Sequence, residues 1–185
     1  MNFLFRLFLT FNATSLLIVV FLVKERIVLS KYFTWFSIVP DFVSYIIYFF
    51  LPVLLTYLSI LLSGFLDKDS LGNEQSQVVR EVEQANNVFL PSYLGYFFVA
   101  LSTPYFDTLI FVFLILFIFT FMSQTLYFNP LFLLFRYQFY YVTTTTNVRV
   151  FIITKRTLRN PETINFFNLR RINDFTFIDK EVKDR

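Results

Sequence analysis

The chain contains no cysteine, no histidine and only three glycines among its 185 residues. Without cysteine there is no disulfide framework and no thiolate for a haem or iron–sulfur group. Without histidine, both the commonest zinc ligand and the usual general base near neutral pH are missing. Gly64, Gly72 and Gly95 are too scattered to build a phosphate-cradling loop. Acid–base chemistry would fall to carboxylates, lysines or tyrosines, and Asp41 and Asp107 are too few at the ends of apolar runs to suggest it. No nucleophile–base pair or metal-ligand spacing offers itself. We therefore expect no enzyme, no cofactor and no metal site.

What the chain has in abundance is apolar side chain: 56% of residues are hydrophobic and 29 are Phe. A soluble domain of this length needs more polar surface, and a disordered one far fewer aromatics. The expected fold class is a mainly α membrane protein, with four transmembrane helices near residues 7–23, 42–66, 88–106 and 108–128. A small α+β domain follows at residues 129–185. The first span, Leu7 to Val23, is 17 residues without a charge, close to the short limit for crossing. Asn12 should hydrogen-bond a neighbouring helix, because an unpaired amide in hydrocarbon is costly. Arg6 precedes this run but no small-x-small cleavage site follows it, so it reads as a retained anchor.

The second span, Phe42 to Leu66, is 25 residues long. As a helix it would measure roughly 37 Å, so it must tilt or kink, and Pro52 sits near its centre. The third is short and carries Pro91 and Gly95. The fourth, from Thr108, is charge-free with no Pro or Gly. Only Pro104 to Asp107 separates the last two, which predicts a tight antiparallel hairpin. Gly95 and Ser102, one heptad apart, are candidates for a close helix contact.

Four spans place both termini on one side, with Arg6, Lys68, Arg80 and ten Lys/Arg of the tail. The other side holds Lys24, Arg26 and Lys31, so the charge bias puts the termini in the cytoplasm. The first loop, with Tyr32 to Phe36 among these cations, resembles a segment lying in the headgroup layer. The loop from Asp67 to Asn87 has five acids and two bases. Its second half, Gln75 to Gln84, reads as solvated loop or a short helix with Val78, Val79 and Val82, able to dock on the basic tail or a partner.

In the tail, Arg136 to Thr143 and Val148 to Thr154 are rich in β-branched and aromatic residues, as strands are, with a turn at Thr144 to Asn147. Asn160-Pro161-Glu162 reads as a cap, a first-turn proline and a favourable acid, starting a helix to about Arg171. Ile164, Phe167 and Ile172 would give it an apolar side, and Phe175 to Ile178 a third strand. So small a core needs support from the membrane, another copy or a partner. The tail holds ten bases against five acids. Lys155, Arg156, Arg159, Arg170 and Arg171 are its densest basic set and the candidate partner-binding residues. Anionic lipid headgroups and an acidic protein both fit them. No motif supports direct nucleic-acid contact.

This layout, with its tail opening NPLFLLFRYQFYYV at Asn129 to Val142, resembles the membrane subunit of the Kiwa anti-phage defence system of bacteria. The resemblance implies a tetrameric homo-oligomer in the inner membrane that senses membrane perturbation. It also implies recruitment of a soluble cytoplasmic effector. The competing class is an oligomeric channel or small transporter subunit, for which Asn12, Ser15, Ser59 and Gln124 are the polar candidates.

Overall fold

The computed structural model describes residues 2–33, 38–71, 79–88, 90–123 and 129–181. Four apolar helices run over Asn2–Lys24 (α1), Phe42–Leu62 (α2), Leu90–Ser102 (α3) and Phe106–Ser123 (α4), and a single turn, Leu131–Leu134, is α5. Six strands follow the chain as Lys68–Leu71 (β1), Val79–Gln84 (β2), Gln138–Thr144 (β3), Arg149–Thr154 (β4), Phe166–Asn173 (β5) and Thr176–Asp179 (β6). The chain divides into a helix unit, residues 8–58 and 89–129, and a sheet unit, residues 1–7, 59–88 and 130–185.

In the helix unit, α1 is the hub. Asn12 meets Thr56 of α2, and the Leu29 amide donates to Ser44 Oγ at 3.0 Å, so α1 and α2 are antiparallel. The Tyr93 hydroxyl donates to the Ala13 carbonyl at 2.8 Å and Lys24 Nζ to that of Thr103 at 2.6 Å, so α3 runs parallel to α1. Phe11 and Phe21 pack on Phe113 and Phe106, so α4 runs back. Leu17, Phe21, Ala100 and Leu109 form the buried centre. Lipid tails are as apolar as these side chains, so close packing and hydrogen bonds hold such helices, not exclusion of water.

Among the described residues three helices, Phe3–Lys24, Phe42–Phe65 and Phe106–Ser123, are long and apolar enough to cross a membrane. The 13-residue α3 is apolar but spans roughly 20 Å, short of a hydrocarbon core of about 30 Å. The fourth crossing expected near 88–106 is thus not given by length. Gly95 does not make the expected close contact, since nothing lies within 4 Å of where its Cβ would be. Ser102 is turned back onto the Phe98 carbonyl of its own helix. α2 is helical through Pro52. Residues 34–37 of the expected interfacial loop, and Gln124, lie outside the described residues.

The sheet order is β1-β5-β6-β4-β3-β2, antiparallel except for the β4–β6 pair. Two expectations are corrected here. Part of the acidic loop is strand and not loop, supplying both edges of the sheet, β1 and β2, so the sheet unit is not confined to residues 129–185. The expected helix from Asn160 to Arg171 is a single 3-10 turn, Pro161–Thr163, followed by β5. Asn160 does cap that turn, accepting from the Glu162 amide at 3.1 Å. Ile164 and Phe166 are then drawn into the sheet's core instead. That core, around Tyr140, Val142, Val150, Ile152, Leu169 and Phe177, also takes in Val79 and Leu158. On the opposite face Phe139 stacks on Phe151 at 5.7 Å, and Phe132 of α5 packs edge-on to Phe139.

Two helix ends close on an arginine at positive φ: Arg26 after α1 and Arg136 after α5. Each is followed by a six-residue closing bond, Ile27 to the Leu22 carbonyl and Tyr137 to that of Phe132. Glycine is the residue this left-handed cap favours. Arg136→Gly is expected to raise stability by about 1 kcal/mol, read as a higher melting temperature of the purified protein.

Candidate partner-binding surface

The five basic residues singled out from sequence do not form one patch. Arg156, after β4, is held from several sides: Nε donates to Asp179 Oδ2 at 2.8 Å, Nη1 pairs with Glu181, and its guanidinium lies 5.0 Å from the Phe166 ring centre. Asp179 is fully buried, and its Oδ2 also accepts from Thr154 while Oδ1 accepts the Glu181 amide. Arg171 pairs with Asp69 of β1 at 2.6 Å. These two arginines are committed to the fold.

Lys155 and Arg170 belong to the other side of the sheet. Lys155 sits 4.9 Å over the Tyr137 ring, and Arg170 Nη1 donates to the Leu66 carbonyl at 3.0 Å. Two further cations missed by sequence join them. Lys68 lies directly across from Arg170 in the β1–β5 register. Lys180 follows β6 in step with Lys155 after β4, and its Nζ donates to the Ile60 carbonyl near the end of α2. Burial, then Lys155 and Arg170, lower the Lys180 ammonium below the ordinary lysine range. Burial, then Asp179, raise the Tyr137 phenol above its ordinary value, which keeps it neutral beneath Lys155.

Arg159 is exposed, and of the five it alone has no hydrogen bond, ion pair or ring partner among the described residues. The acidic loop, in contrast, does dock on the tail. Glu83 pairs with Arg149, and Arg80 donates to Asn147 Oδ1 at 2.5 Å.

In the helix unit the polar residues are turned inward. The Asn12 amide, in the orientation that satisfies its neighbours, donates to the Pro52 carbonyl at 3.2 Å and accepts from the Thr56 amide at 3.1 Å and Asn129 Nδ2 at 3.0 Å. The expected bond from Asn12 to another helix is therefore present. Ser15 donates to the Asn12 carbonyl, and Ser59 is buried. An apolar groove of about 290 Å³ opens beside them, lined by Phe11, Ile18, Ile47, Tyr48, Leu51 and Pro52 among others.

A family model described as the anti-phage protein KwaA matches residues 5–178. The chain belongs to the KwaA family. The match runs from α1 to β6, so it takes in the helices and the whole sheet of this KwaA-family chain. It gives the chain a role in anti-phage defence. No curated protein and no solved structure matches it.

Proposed function

We propose that this KwaA-family protein is a non-enzymatic scaffold and sensor of the bacterial inner membrane that assembles with itself and recruits a soluble cytoplasmic effector. The observation that carries the reading is the grip of the sheet unit on the end of α2. Lys180 and Arg170 hold the carbonyls of Ile60 and Leu66, and the Arg171 amide donates to that of Asp67. α2 is one of the three helices fit to cross a membrane, so a displacement of that end is passed to the strands that hold it. The scaffold is a homo-oligomer, with a tetramer as the working assumption. It does not contact nucleic acid directly.

In this reading α3 completes a fourth crossing as the partner of α4, with both termini in the cytoplasm. The lack of native cysteine makes the topology testable in an otherwise unaltered chain. A cysteine placed at Tyr105 should react with an impermeant maleimide on intact spheroplasts. One placed at Arg159 should react only after lysis. Labelling of both from outside contradicts the topology.

Effector docking is assigned to the surface around Arg159, which of the five candidate cations has no partner among the described residues. Arg159→Glu is expected to leave the melting temperature unchanged while weakening partner binding about tenfold, equivalent to ~1.4 kcal/mol. Phage protection should fall with it. Full protection and full partner recovery from this variant would contradict the assignment.

A further inference from the structure

One face of the sheet unit carries a cation cluster that forms no ion pair among the described residues. Lys68 and Arg170 are directly opposed on neighbouring strands, an arrangement that repels and gains nothing by itself. Lys155 and Lys180 stand side by side after the parallel pair β4 and β6. Three carboxylates of the same strands and their ends are engaged elsewhere: Asp179 and Glu181 on Arg156, and Asp69 on Arg171. What the cluster has instead is two backbone carbonyls, those of Ile60 and Leu66. Carbonyls at a helix end carry only a partial negative charge, too little to balance four cations. One donor is left over entirely, because Arg170 Nε is buried and finds no acceptor.

The cluster also has a definite address. It lies at the last turns of α2, where Leu61, Leu62 and Phe65 are exposed, Phe65 by 70%. These residues end a run fit to cross a membrane. Basic side chains beside the end of such a run sit at the depth of lipid phosphates, where each is worth about 1 kcal/mol of attraction to an anionic surface.

We propose that Lys68, Lys155, Arg170 and Lys180 form a binding site for a phosphate group, and that the occupant is the headgroup of an anionic phospholipid. The phosphate oxygens accept from Lys155 and Lys180 beside the Arg170 guanidinium. The acyl chains follow the exposed side chains of α2. The site thereby couples headgroup charge to the same contacts that fasten the sheet to the span. This inference rests on α2 crossing the membrane but not on any protein partner.

The test uses the full chain, purified in mild detergent and examined by native mass spectrometry after exchange into nanodiscs. One set is phosphatidylcholine alone and another contains phosphatidylglycerol. Wild type should retain phosphatidylglycerol over phosphatidylcholine, and millimolar inorganic phosphate should not displace it. Lys155→Ala, an exposed position, and Lys180→Gln should each reduce retention about tenfold with the helical signal intact. Equal retention by wild type and both variants overturns the site. Displacement by inorganic phosphate without lipid preference overturns the assigned occupant in favour of a free phosphate. A chain that stays membrane-integral in alkaline carbonate yet retains no phosphatidylglycerol fails here alone, leaving the membrane reading intact.

Discussion

Asp179→Ala is expected to lower the stability of the sheet unit by about 3 kcal/mol, at the low end for breaking a buried ion pair. The carboxylate is fully buried and answers three donors: Arg156 Nε, the Thr154 hydroxyl and the Glu181 amide. Its removal strands all three. The cost stays near the lower bound because Arg156 keeps Glu181 and is partly exposed. Asp179→Asn retains an acceptor for Thr154 and should lose less. Arg159→Ala, at an exposed position, should stay within about 0.5 kcal/mol of wild type. Thermal denaturation of the detergent-solubilised protein distinguishes these. Equal melting temperatures for Asp179→Ala and Arg159→Ala would show that the buried pair does not hold β4 to β6.

The second large effect is expected inside the helix unit. Asn12→Leu keeps the branched shape and heavy-atom count but removes the amide that joins Pro52, Thr56 and Asn129. Interhelical hydrogen bonds in membranes average about 0.6 kcal/mol each, so three of them set a loss of about 2 kcal/mol. Ser102→Ala, on an exposed side chain bonded only to its own helix, should cost almost nothing. The loss should appear as earlier thermal melting of the helical signal for Asn12→Leu alone. An unchanged melting point would mean that packing of Leu17, Phe21 and Leu109 suffices without the polar node.

The apolar helices were legible in sequence because long charge-free runs have few other meanings. The strands of residues 138–154 were legible too, from their β-branched and aromatic content. β2 and β5 were not. Val79 and Val82 are three residues apart, which is helical spacing, and the Asn160-Pro161-Glu162 cap with Ile164, Phe167 and Ile172 pointed to a helix where only one 3-10 turn forms. In each strand a bulge takes up the extra residue: β2 advances two positions, Val79 to Glu81, while β3 advances one, and β5 advances three, Phe166 to Leu169, while β1 advances two. The bulge turns both apolar residues toward the core, so a strand reads as a helix. The basic residues were mis-grouped for a related reason. Lys155-Arg156 and Arg170-Arg171 are adjacent in sequence, but neighbours along extended chain face opposite ways. Alternation therefore sends Arg156 and Arg171 to buried or neighbouring acids, Lys155 to the Tyr137 ring and Arg170 to the Leu66 carbonyl. The same alternation, applied to Lys68 and Lys180, is the signal that would have added them.

The anti-phage role follows from the family, whereas the proposed scaffold mechanism rests on the bonds from the sheet to the end of α2, a helix long and apolar enough to cross a membrane. The measurement that tests it most directly is native mass spectrometry of the tagged chain, drawn in mild detergent from native membranes. The account predicts a homo-oligomer carrying a stoichiometric soluble protein, with that protein lost from Arg159→Glu while the oligomer remains. A monomer carrying lipid alone would contradict it.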